Sequence, residues 1–273
     1  QGVNVGNRYN VVIDEIDVCP VQIQGPLSEN LMAKLAGEAV REIPYYGLME
    51  TKIGGADVVI SQTGFTGEKG YEIYVRDAHE NAEIIWNSVL EAGEEFGLMV
   101  IAPAHHRRIQ AGILSWGQDL DHETSPFQVN LSYQVPRNKE ADYIGKEELE
   151  RQRAVIDAGE FPFKMRMVGM IFGGKEITDY APDFWLIADT DGNDMGYVTS
   201  PWWSPELDTN VALGWVPWTS SEVGTKLQVK LPDEYSESPG VVAEGEIVDV
   251  PFRESVNPNK REVQKEKGLD YAD

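Results

Sequence analysis

A chain of 273 residues is long enough for one large domain or two ordinary ones, and 41% hydrophobic with 10% aromatic content argues for a packed core. The formal net charge of −23 comes from 46 acidic against 23 basic residues spread along the chain, a field that repels nucleic acid and anionic membrane surfaces and excludes both as partners. No apolar run approaches the roughly 18–20 residues of a membrane span, and no charged-then-apolar leader opens the chain, so a soluble, cytoplasmic protein is expected. The single cysteine, Cys19, permits neither an internal disulfide nor a cysteine-cluster metal site.

In chain order, residues 10–13 and 18–23 read as short strands, with Gln24, Gly25 and Pro26 closing the second. Residues 27–35 place Leu27, Leu31, Met32 and Leu35 at helical spacing, with Ser28 as the expected cap. Pro44 stops the next segment, and residues 53–60 read as a strand beside a Gly54, Gly55 turn. Residues 61–75, SQTGFTGEKGYEIYV, predict a hairpin with a tight turn through Gly67, Glu68, Lys69 and Gly70. Residues 78–96 form the clearest helix, with Ala82, Ile85, Trp86, Val89, Leu90 and Gly93 on its apolar face. A second helix is expected over 103–115, then a polar loop feeding a strand, then a charged helix over 146–158. After Gly159 the texture shifts to six short strands (163–172, 185–188, 195–200, 211–216, 226–231 and 241–250) separated by Gly, Pro and Asp turns. These read as a β-barrel or sandwich module beginning near residue 160.

Glu72 stands out within the second hairpin strand, between Tyr71 and Ile73 and on the same face as Tyr74. A carboxylate there sits either at a sheet edge in water or in a site for a group bearing N–H donors. His105 and His106 are adjacent on a helix and point about 100° apart, which suits no shared metal and reads as a solvated helix start. Asp119, Asp121 and Glu123 lack the glycine and terminal glutamate of a calcium loop, so no metal is expected. Arg108, on a helix face beside Ile109 and Ile113, calls for a carboxylate or an anionic ligand in so base-poor a chain. Trp202, Trp203, Trp215 and Trp218 cluster in sequence, either as core or as the wall of a pocket for a flat or cationic ligand.

Five blocks in order carry a family resemblance. GFTGEKGYEIYV resembles the GYTGEDGFEI signature of the glycine-cleavage T-protein (aminomethyltransferase) family, and RIQAG at 108–112 resembles its RLEAG. WGQDLDHETSP resembles YGxDxDExTTP, and YIGKEEL at 143–149 resembles FIGKEAL. GYVTSPWWSPELDTNVALGWV resembles GxVTSGxxSPxLxxNIAMGYV. Phe65, Gln110 and Pro201 depart from the pattern, standing where it has tyrosine, glutamate and glycine.

The resemblance implies an α+β fold: a folate-binding α/β region over 1–159, incomplete at its N-terminus, a C-terminal antiparallel β-barrel over 160–256, and a charged tail over 257–273. It implies tetrahydrofolate as cofactor and one-carbon acceptor, with Glu72 gripping the pterin. The candidate cofactor-binding residues are then Glu72, Arg108, Phe65, Tyr71, Trp116 and Trp203. The extra tryptophans and the ITDYAPDFW segment lean towards the demethylase branches, those acting on dimethylsulfoniopropionate or aryl methyl ethers, with a methyl group passing from a small donor to folate N5. The alternatives are an aminomethyltransferase of glycine cleavage, a non-catalytic folate-binding regulator, and a subunit of an amine-oxidising complex. The family's catalytic aspartate lies in an N-terminal segment that nothing here matches. That segment or a companion chain is therefore expected to complete the fold, the 273 residues alone forming an incomplete catalytic unit.

The charge generates its own prediction. A chain adapted to high salt should melt at a higher temperature in molar KCl than in dilute buffer, because screening blunts its self-repulsion. An unchanged melt would remove that reading.

Overall fold

The computed structural model describes residues 10, 12, 15–102 and 105–252, which fall into two compact units. The first unit comprises residues 1–64 and 69–100, and the second 65–68 together with the chain from 101 onward. These compact units meet at Val100 and Ile101, and the 146–158 helix falls in the same unit as the later strands. The expected tail over 257–273 and part of the expected 10–13 strand lie outside the described residues.

In the first unit, β1 (Val18–Gln24), β2 (Leu48–Ile53), β3 (Ala56–Ser61) and β4 (Gly70–Arg76) form an antiparallel sheet of order β1-β4-β3-β2. Period-2 alternation gives the sheet one buried face, with Ala56, Val58 and Ile60 on β3 and Tyr71, Ile73 and Val75 on β4. Helices α1 (Ser28–Ala36) and α2 (Ala78–Gly93) contribute Leu31, Met32, Ile85 and Val89 to the same core. β2 was not expected as a separate strand. Gly54 and Gly55 both take positive φ, +58° and +90°, as a two-residue hairpin loop requires, so the run splits there into two strands.

Three local expectations are corrected. Ser28 is the first residue of α1 rather than its cap, and its hydroxyl donates instead to the Lys69 carbonyl at 3.0 Å. Trp86 and Leu90 on α2 are exposed, since the buried line runs through Ile85, Val89, Ala92 and Gly93. The β3–β4 connection is an eight-residue loop over 62–69, not a tight turn.

The second unit is built on β5 (Met165–Phe172), β6 (Trp185–Ala188), β7 (Asp194–Ser204), β8 (Thr209–Pro217), β9 (Lys226–Val229) and β10 (Ala243–Val248). These six close into an antiparallel barrel of order β10-β5-β8-β7-β6-β9. Its interior holds Val168, Met170, Phe172, Ile187, Val198, Ala212 and Val229. Ile109 of α3 (His105–Gln110) packs with Met167, Val211, Leu213 and Trp215 in a separate cluster. α3 is shorter than the expected 103–115 helix because Gly112, at φ +69°, turns the chain left-handed; Pro103 lies outside the described residues.

The strand expected after the polar loop is replaced by two 3-10 turns, Pro126–Gln128 and Ser132–Gln134, the first capped by Ser125. β10 pairs with β5 only from Gly169 onward, so the carbonyls of Met165 and Met167 need other donors. The side-chain amides of Gln128 and Asn130 reach them at 3.2 and 3.4 Å, doing by side chain what a further strand would do by backbone. α4 (Lys146–Asp157) follows as expected, ending one residue early.

Gly196 on β7 has no room for a side chain: a Cβ there would run into the Trp215 carbonyl of β8. Gly196→Ala should therefore cost about 2–4 kcal/mol in a urea titration, since backbone on both sides leaves little room to yield. A change below about 0.5 kcal/mol would contradict that packing.

Candidate functional site

Glu72 lies on the face of the first-unit sheet opposite the core, half-buried, with Tyr74 beside it. Three side chains converge on its carboxylate. Gln22, its cross-strand partner on β1, donates from Nε2 to Oε1 at 2.9 Å. The Thr63 hydroxyl donates to Oε2, and the Tyr74 hydroxyl donates to the same oxygen at 3.3 Å. Burial, then the Glu72 charge and this hydrogen bond, raise the Tyr74 pKa, so the phenol stays protonated and remains a donor. Oε1 thus keeps an open lone pair, whereas Oε2 already accepts two bonds.

The loop that carries Thr63 is shaped around Gln24. The Gln24 amide donates to the carbonyls of Thr63 and Tyr71 at 3.2 and 3.4 Å, and a Cβ on Gly64 or Gly70 would collide with it. Two glycines of the 61–75 stretch are there to let this wedge in. Gly67, at φ +74°, serves the second unit, where a Cβ would strike that of Ala111.

In the second unit Arg108, on α3, is 1% exposed and forms a buried ion pair with Asp119, Nη1 to Oδ2 at 2.5 Å. Asp119 is fully matched: Oδ2 also accepts the Ser115 N–H at 2.8 Å, and Oδ1 accepts the hydroxyls of Thr199 at 2.6 Å and Ser200 at 2.5 Å. Both hydroxyls reach one carboxylate oxygen because β7 bulges between Val198 and Ser200, making Thr199 the extra residue. Arg108 Nη2 further donates to Ser200 Oγ at 2.7 Å and Gln118 Oε1 at 3.2 Å. Burial pushes the guanidinium pKa down, and the Asp119 charge opposes the shift.

His105 is buried, which corrects the solvated helix start expected from sequence. Its ring lies 4.4 Å from that of Tyr180 and 5.2 Å from that of Trp202, with Nε2 3.0 Å from Arg108 Nη2. Desolvation, then the Arg108 charge, lowers its pKa to about 4.

The remaining candidates fall as follows. Tyr71 is fully buried in the first-unit core, on the face opposite Glu72, with its hydroxyl near the Gln62 amide at 3.4 Å. Phe65 is half-buried in the second unit. Trp116 is exposed, edge-on to His122 at 4.9 Å, and Trp203 is half-buried on β7. Glu72 and Tyr71 belong to the first unit, and Phe65, Arg108, Trp116 and Trp203 to the second. Sequence reasoning missed Gln22, Thr63 and Tyr74 as partners of Glu72, and Asp119, Thr199 and Ser200 as those of Arg108. The signals were present, since Tyr74 shares the face of Glu72 by period 2 and Asp119 and the Thr199-Ser200 pair sit inside family-like blocks. Among the described residues no group of His, Cys, Asp or Glu is placed to hold a metal ion, and no helix is long and apolar enough to cross a membrane.

The first unit thus presents an outward-facing strand glutamate wrapped in donors, and the second an antiparallel barrel pinned by a buried Arg–Asp pair. Residues 3–139 match the GCVT N-terminal domain model and residues 165–251 the glycine cleavage T-protein C-terminal barrel domain model. The chain belongs to the glycine-cleavage T-protein family. It is 33% identical over 232 residues to the dimethylsulfoniopropionate demethylase of Ruegeria pomeroyi, covering 85% of this chain and 60% of that one. It is also 33% identical over 225 residues to an aminomethyltransferase of Bacillus pumilus, covering 81% and 57%. The crystal structure of the glycine cleavage system aminomethyltransferase T from Bartonella henselae matches with a TM-score of 0.70 at 23% identity, covering 87% of this chain and 60% of that chain, a likeness of fold. The chain thus spans about three fifths of the length of these relatives.

The buried histidine sets a pH dependence. Unfolded, His105 takes up a proton below its ordinary 6.5; folded, only below about 4, so stability should fall as pH drops from 6.5 to 4. His105→Phe keeps a ring against Tyr180 and Trp202 and should remove on the order of 2 kcal/mol of that decline in urea titrations across the window. Identical slopes in the two proteins would refute it.

Proposed function

We propose that the chain is the greater part of a tetrahydrofolate-dependent one-carbon transferase, and that it takes a methyl group from a small donor as a demethylase does. The carrying observation is the Glu72 site, in a chain that matches both T-protein domain models. Tetrahydrofolate, when bound, supplies N5 as the atom that receives the one-carbon unit. The donor chemistry suits it: the open lone pair on Oε1 can take one N–H of an aminopyrimidine edge. A second, parallel bond to Oε2 requires the Tyr74 hydroxyl, the longer of the two bonds there, to swing away. Gln22 and Thr63 then hold the carboxylate in place.

The demethylase side is favoured by the rings of Tyr180, His105 and Trp202, which lie within 5.5 Å of one another in the second unit. Tyr180 comes from the ITDYAPDFW segment, and a neutral aromatic group suits an onium methyl or a methoxyarene. The 33% identity to the Ruegeria pomeroyi demethylase agrees with this reading, and the equal identity to an aminomethyltransferase keeps glycine cleavage as the second one.

The test is a tetrahydrofolate titration followed by tryptophan fluorescence. Glu72→Ala should weaken binding roughly 30- to 1,000-fold, the equivalent of about 2–4 kcal/mol for two charge-assisted hydrogen bonds. Equal affinity in the variant, or no binding by the parent even with the N-terminal part of a relative supplied, would overturn the assignment.

A further inference from the structure

Six of the eight arginines among the described residues are ion-paired to a carboxylate: Arg41, Arg76, Arg107, Arg108, Arg137 and Arg151. Arg153 donates to the backbone carbonyls of Ser132 and Val135 and lies over the Phe127 ring. Arg166 is the exception. Its single hydrogen bond runs from Nη2 to the neutral Asn130 Oδ1 at 3.1 Å, although the chain has twice as many acidic as basic residues. A guanidinium has five N–H donors, so four are left over. Burial lowers the Arg166 pKa, and no neighbouring charge acts to restore it.

Arg166 lines a cavity of about 660 Å³ within the second unit, a size suited to a small organic ligand. Phe161 and Trp218 form a platform in the same lining, stacked at 5.2 Å and 25°, with the guanidinium 5.9 Å from the Phe161 centroid. The Trp218 backbone N–H donates to the Lys164 carbonyl at 3.0 Å, which ties the platform to the start of β5. Glu160, Glu222 and Asp249 also line the cavity and are exposed.

The geometry points to a binding site for a small aromatic monocarboxylate, its carboxylate on the Arg166 guanidinium and its ring on the Phe161–Trp218 platform. A planar carboxylate matches the fork of N–H donors and leaves the ring against the aromatic wall. The three carboxylates around the cavity select against phosphates and polyanions, which they would repel. The site does not depend on folate or on Glu72.

The experiment is calorimetric titration of the full chain with 2-naphthoate and with its neutral isostere 2-naphthamide. Saturable naphthoate binding is expected, at least tenfold tighter than naphthamide, and Arg166→Met should weaken it at least tenfold. The methionine retains an apolar stem over Phe161, and an unchanged melting temperature confirms the fold. No saturable naphthoate binding, equal affinity for the amide, or undiminished binding by the variant would each overturn the proposal. Should Arg166→Met fail to fold, the comparison of acid with amide on the unaltered chain decides alone.

Discussion

The second unit is organised by one buried ion pair. Taking Arg108 and Asp119 out of water costs several kcal/mol per ion, and the attraction between them offsets this only where the remaining donors and acceptors are matched. Here they are: each oxygen of Asp119 takes two bonds, and the guanidinium reaches Ser200, Gln118 and the Ile113 carbonyl besides. The Trp215 indole donates to the Asp119 carbonyl at 3.0 Å, and the Gln118 amide to that of Thr199 at 2.9 Å, so backbone and side chains lock together. Two stretches far apart in sequence, 108–119 and 199–215, are therefore held together by one carboxylate and its neighbours. Arg108, Asp119, Thr199 and Ser200 are shared letters of three of the five family-like blocks, so this network joins those blocks.

The barrel was legible strand by strand because its runs are short, apolar and separated by Gly, Pro and Asp. Helix α4 was legible from its charge pattern. β2 was not, because LMETKI exposes Leu48 and alternates charged with half-buried positions, which leaves it without an apolar face to read. The 126–134 stretch misled for another reason. Gln128 and Asn130 satisfy strand carbonyls through side chains, and hydropathy carries no trace of which amide reaches which carbonyl.

At the sites, position along a strand was readable and burial across the fold was not. Period 2 alone puts Glu72 and Tyr74 on one face, and it equally sends Tyr71 to the other, into the core. His105 looks like any polar helix start. Its burial is decided by Tyr180 and Trp202, some 75 and 97 positions further along (180 − 105 and 202 − 105), and by the guanidinium one turn away. Nothing local in PAHHRRIQ encodes that neighbourhood.

Two of the three departures from the family pattern, Gln110 and Pro201, have local structural reasons. Gln110 is 1% exposed and donates from its amide to the Ser204 hydroxyl. A glutamate in that place would bury a charge beside a hydroxyl rather than a cation, so a neutral amide suits the site. Pro201 lies on β7 beyond Val198, the last residue paired to β6, so its missing N–H removes no bond between those two strands. Both substitutions are thus accounted for by hydrogen bonding within the barrel unit, and neither has to be read as a change of chemistry. On the proposed function, the aromatic group built from His105, Tyr180 and Trp202 is where a methyl donor would be told apart, and neither substitution supplies a ring to it.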